Sequence, residues 1–150
     1  MKNPFASPTS TSLGLLIVRI PLGVLFICAG WSKIFQTGIG KFVAFSAPNL
    51  PHFVPDYLGK TYLYLFPFFE LGMGLLVLLG LWTRLAAFIL TLMLISIIWA
   101  ITGIHQSPMP YHPNVMFLAV AILLFLAGGG TFTIDRIIKA GSSGSKSPAK

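Results

Sequence analysis

The stretch YLFPFFELGMGLLVLLGL, Tyr64–Leu81, is apolar along its length except for one carboxylate, Glu70. A charged side chain near the centre of a bilayer costs about 2.5–3.5 kcal/mol on insertion scales. A segment built for lipid therefore needs something to face Glu70, and the candidates must come from elsewhere in the chain.

The rest of the sequence has the same character. Hydrophobic residues make up 55% and charged residues 9%, with a mean hydropathy of +0.86. Soluble domains carry about 25% charged residues, so the composition marks an integral membrane protein. Four segments are long and apolar enough to be read as spans: roughly 12–35, 61–81, 85–103 and a slightly short 113–130. Their polarity does not alternate as barrel strands would, which points to helices. The expected fold is an all-α four-helix transmembrane bundle over residues 1–140, with a short interfacial C-terminal helix and a disordered polar tail at 141–150. The first segment is read as a retained span rather than a cleaved signal, because its apolar core is long and bulky Ile27 precedes Cys28.

The net charge of +7 is no nucleic-acid footprint, since the basic residues are scattered or sit at segment ends. With four spans, Lys2, Arg84, Arg136, Lys139, Lys146 and Lys150 share one side, and Lys33, Lys41 and Lys60 the other. That bias places both termini in the cytoplasm and His52, His105 and His112 outside. One cysteine, Cys28, excludes an internal disulfide or a dithiol redox motif.

Two cations in the first segment can answer Glu70. Arg19 lies well inside it, and Lys33 ends it on nearly the same face, since fourteen steps of 100° fall about 40° short of four turns. Gly23 and Gly30 lie between them, and Gly74 sits one turn from Glu70; small residues there let two helices approach closely. Depths counted from the expected span ends put Arg19 and Glu70 roughly 5–8 Å apart along the membrane normal. Arg19 is thus the first choice of partner and Lys33 the second. Such a cluster can simply specify packing, or it can line a quinone or proton site.

Redox ligands are scarce. Haem between helices calls for histidines inside the spans, and iron–sulfur clusters call for several cysteines; neither is present. The sequence thus argues for no covalent or residue-ligated cofactor, with quinone left as the candidate. His52, His105 and His112 are metal-type ligands in proline-broken outer loops, and a solvated loop is the preferred reading over a metal site.

Several passages together resemble the DoxX family of small membrane proteins. RIPLGVLFICAGWSK (Arg19–Lys33) is similar to that family's first helix, and ELGMGLLVLLGLWTRLAAFILTLML (Glu70–Leu94) to its second and third. GGGTFTID (Gly128–Asp135) is similar to its closing signature. The resemblance implies a four-helix membrane bundle in a bacterial or archaeal inner membrane. It implies partners among membrane redox complexes, because one member is the small membrane subunit of a thiosulfate:quinone oxidoreductase. Many members carry an acid at the start of the fourth helix; here that region reads YHPNVMF, with His112 and Asn114. In the closing motif, Gly128 and Gly130 are expected to end the fourth helix in a left-handed turn, with Thr133 capping a short helix that holds Asp135.

Three functions follow. The first is a non-catalytic membrane subunit or scaffold of a quinone-linked oxidoreductase complex. The alternatives are a quinone-binding catalytic subunit using Arg19, Lys33 and Glu70, and a small transporter or channel.

Overall fold

The computed structural model describes residues 8–104, 113–136 and 138. His105, His112 and the polar tail at 141–150 lie outside the described residues. Within those bounds the chain is helical and has no strand. Helix α1 (Pro8–Trp31) runs into a π-helical turn at Ser32–Gln36. A short helix α2 (Ile39–Ser46) and a 3-10 turn (Ala47–Asn49) lead to α3 (Asp56–Leu79), α4 (Thr83–Ile104) and α5 (Pro113–Ala127).

Three stretches among the described residues are long and apolar enough to cross a membrane: Thr9–Gln36, Asp56–Leu79 and Thr83–Ala100. The fourth expected span corresponds to α5, which is apolar but has only 15 residues. At 1.5 Å per residue it is about 22 Å long, less than the ~30 Å of a hydrocarbon core.

Polarity is distributed as lipid demands. Large side chains point outward from every long helix, among them Ile17, Phe68, Leu92, Met116 and Leu126. Arg19, Glu70, Thr83 and Thr133 are buried instead. Helices that are apolar all round belong in hydrocarbon, and the few groups needing partners turn inward.

Helix α1 packs along α3 and α4 along α5, while α3 and α4 meet more loosely. The α1–α3 contact is made by backbones. A Cβ at Gly30 would fall 2.7 Å from Leu71 N and Pro67 O, and one at Gly74 would fall 2.9 Å from Ile27 N. Without a hydrophobic drive between helices in lipid, this closeness supplies the van der Waals attraction that holds them. The same contacts fix an antiparallel register: Gly23 lies against Gly74 and Leu78, and Gly30 against Pro67 and Leu71.

The turn from α3 to α4 is a Schellman motif. Gly80 adopts φ 71°, its N–H reaches Val77 O at 3.2 Å, and Leu81 N–H reaches Leu76 O at 2.9 Å. Trp82 follows at φ 44°, and its carbonyl accepts from Ala86 N–H as α4 begins. Gly128 and Gly130 are likewise left-handed, at φ 79° and 76°, where α5 ends.

Candidate functional site

Two polar centres lie at opposite ends of the bundle. The first is built on Glu70, two to three residues past the middle of α3 and 1% exposed. Both its carboxylate oxygens accept from Lys33 Nζ, each at 2.5 Å. Lys33 sits in the π turn that ends α1. Such turns often mark functional sites, because the extra residue re-aims a side chain without ending the helix. Its ammonium also lies over two rings, 5.3 Å from the centroid of Phe42 and 5.2 Å from that of Phe66. Phe42 comes from α2, which folds back across the end of α3 and brings the ring onto Phe66.

The expected Arg19–Glu70 pair does not form. The α1–α3 register is the reason. Gly30 is level with Pro67 and Leu71, so Glu70 is level with Gly30 as well. Arg19 lies eleven residues earlier, about 16 Å away along the axis, whereas Lys33 is about 4–5 Å past that level. Depths counted from assumed span ends understated the Arg19 offset, because α3 begins at Asp56 and α1 at Pro8.

Arg19 instead forms the second centre. Its Nη1 donates to Gly129 O at 3.2 Å and its Nη2 to Phe132 O at 2.7 Å. These carbonyls belong to the chain just beyond α5, and Gly80, the end of α3, packs on the same guanidinium. Helix C-termini present unsatisfied carbonyls and a partial negative charge, so a buried cation is accommodated there without a carboxylate. Around it, Thr131 N–H donates to Ser12 Oγ at 3.2 Å and Asp135 N–H to Gly80 O at 3.4 Å. Thr133 immediately precedes the helical turn that holds Asp135, and its carbonyl accepts from Arg136 N–H at 3.2 Å, while its hydroxyl donates back to Gly130 O at 3.4 Å and closes the glycine turn. This packing leaves no room beside Gly129, whose Cβ would fall 2.6 Å from Thr83 Oγ1. The Arg19 centre is therefore a seat for the closing motif.

The Glu70 centre does have room. A cavity of about 860 Å³ lies among α1, α2, α3 and α4 and the loop after α2. Lys33 and Glu70 form its charged wall, and Phe42, Phe66, Tyr62 and Trp99 contribute aromatic surface. Pockets of about 300–1,000 Å³ with apolar walls and a few fixed polar groups are typical small-molecule sites. A lysine ammonium has three N–H donors. Two serve Glu70, and the side chain is 24% exposed, so a third N–H is left for a ligand acceptor.

Sequence reasoning did not single out Tyr62, Ser96 or Trp99 for this site. Tyr62 OH and Ser96 Oγ are hydrogen-bonded across α3 and α4 at 2.7 Å. Their polar atoms within apolar runs were the available signal, since a buried or lipid-facing hydroxyl has to find a partner. His52 is exposed in the loop, and no group of three or more His, Cys, Asp or Glu residues able to hold a metal occurs among the described residues.

Comparison with known proteins bears on the whole bundle. The DoxX family model matches residues 14–103. The chain is 30% identical over 130 residues to inner membrane protein YqjF of Escherichia coli strain K12, a match covering 84% of this chain and 92% of that protein. No solved structure matches the chain.

Proposed function

This chain belongs to the DoxX family, and on that premise we propose that it is an inner-membrane subunit of a quinone-linked oxidoreductase complex that holds the quinone head group beside Lys33 and Glu70. The carrying observation is the 860 Å³ cavity with one buried ion pair in an otherwise largely apolar, aromatic wall. A quinone ring is flat and apolar with a carbonyl at each end. Phe42 and Phe66 contribute aromatic surface to the wall against which a flat ring would pack, and Lys33 has a free N–H to donate to one carbonyl. Glu70 holds the Lys33 ammonium at the cavity wall through both carboxylate oxygens, so that donor is preorganised.

Quinone reduction takes up two electrons and two protons. The chain has one cysteine and no histidine within its expected spans, so the electrons are assigned to the redox centre of a partner subunit. In this reading Lys33 and Glu70 would hand one proton to the ring oxygen beside them, and the second would be taken up from water at the other ring oxygen. In this proposal α5 completes a four-helix bundle, the termini face the cytoplasm, and the lipid-facing helices dock the partner. YqjF, an inner membrane protein by name, supports the choice of membrane.

The test is purification in mild detergent from native membranes, with mass spectrometry of companions and organic extraction of bound quinone. About one quinone per chain is expected, together with a larger redox subunit, and the double variant Lys33→Met/Glu70→Gln, which leaves no stranded charge, should lose the quinone while the protein stays folded. Parent protein with neither quinone nor a redox companion would overturn the proposal.

A further inference from the structure

The cavity has a neighbour. A second apolar groove of about 430 Å³ runs along the outer side of α3 and α4, past Leu65, Phe69 and Ile89. Leu65 and Phe69 are among the exposed residues of this face, 49% and 45% accessible, so in a membrane the groove opens onto lipid. Four residues, Tyr62, Phe66, Leu92 and Ser96, line both the groove and the cavity. They form the partition between the two. Phe66 is buried in that partition, whereas the remainder of the joint is held by a hydrogen bond. Ser96 Oγ donates to Met93 O at 2.7 Å, so it accepts from Tyr62 OH at 2.7 Å. The bond ties together α3 and α4, which pack more loosely than α1 does on α3 or α4 on α5.

We propose that the α3–α4 groove is the doorway between the bilayer and the cavity, that it holds the hydrocarbon tail of the bound quinone, and that the Tyr62–Ser96 hydrogen bond is its latch. The doorway presupposes the quinone site proposed above. The occupant follows from continuity and polarity. A head group beside Lys33 and Glu70 must send its tail out of the cavity, and the groove is an apolar channel that shares a wall with it and faces hydrocarbon. A single flexible chain suits a groove of this size, whereas a partner helix would need a broad face. The latch is suited to opening. It is one neutral hydrogen bond, which contributes little net free energy. When it breaks, Ser96 keeps its bond to Met93 O, and Tyr62, already half-exposed, is free to swing.

The experiment uses the full chain in lipid nanodiscs, with Trp31→Phe and Trp82→Phe so that Trp99, at the cavity wall, reports binding by quenching. Two probes are compared: a benzoquinone with a decyl tail and the same ring without it. Ile89→Phe, which fills the groove without adding a second tryptophan, should weaken the decyl probe by about tenfold or more, the scale of lost apolar contacts, and leave the tail-free ring unchanged. Tyr62→Phe, a conservative change that removes only the latch, should raise the association and dissociation rates of the decyl probe together, with little change in Kd. Equal binding of both probes to Ile89→Phe and to the parent, or unchanged rates in Tyr62→Phe, would overturn the doorway while leaving the quinone site standing. Failure of both probes to quench Trp99 in the parent would overturn the quinone site itself, and the doorway with it.

Discussion

Removing one member of the Lys33–Glu70 pair should cost more than removing both, and the two single losses should be unequal. In Lys33→Met the Glu70 carboxylate stays in place with its side chain 2% exposed and loses the donor of both its hydrogen bonds. A buried pair broken on one side loses about 3–5 kcal/mol, and this variant belongs at the upper end of that range. Glu70→Gln strands Lys33 instead. The Lys33 side chain is 24% exposed and its ammonium retains the faces of Phe42 and Phe66, contacts worth about 0.5–2 kcal/mol. Its loss should fall at or below the lower end, near 3 kcal/mol. The double variant Lys33→Met/Glu70→Gln leaves no uncompensated charge and should recover much of the stability of the parent. Arg19 provides the control. It lies about 16 Å from the level of Glu70 by helix rise, so Arg19→Met and Glu70→Gln should add within about 0.3–0.5 kcal/mol. Reversible unfolding in mixed micelles, run as two double-mutant cycles, gives both couplings. An Arg19–Glu70 coupling as large as the Lys33–Glu70 coupling would refute the register on which the reasoning stands.

Arg19→Met should also release the closing motif, because the Gly129 and Phe132 carbonyls lose their donor; amide exchange of residues 129–136 should accelerate while that of α1 and α3 near Gly30 does not. Gly30→Ala, which drives a Cβ to within 2.7 Å of Pro67 O and Leu71 N, should destabilise by about 1–3 kcal/mol. Gly72→Ala, with nothing within 4 Å of its Cβ, should be neutral or slightly stabilising by helix propensity, and thermal midpoints of the two variants separate packing from propensity. In a Cys28→Ser background, an impermeant thiol reagent should label Ser46→Cys from outside intact cells and leave Ser143→Cys unlabelled, and the reverse pattern would invert the proposed topology.

The apolar runs settle the solvent of this protein without any tertiary information. With so few charges, the chain has no way to cover a water-soluble core, and long runs without alternation can satisfy their backbone in lipid only as helices. The presence of Glu70 in such a run was enough to demand a partner, and composition narrowed the choice to Arg19 or Lys33. Selecting between them was beyond the sequence. An error of a few residues in each span end shifts the relative depth of two helices by several ångströms, which is as long as the side chains being matched. Backbone contact at Gly23, Gly30 and Gly74 sets that depth, and it turns Lys33 towards Glu70 and leaves Arg19 with the carbonyls beyond α5. The length of α5 and the π turn at Ser32–Gln36 were equally illegible, since helix ends and extra-residue turns follow from packing as much as from local preference. The cavity depends most on tertiary structure. Lys33, Phe42, Tyr62, Glu70 and Trp99 share no motif or spacing, and they meet only because α2 folds back over α3 while α4 stands slightly apart. A void is made by what the helices fail to fill, and no local stretch of the chain encodes that.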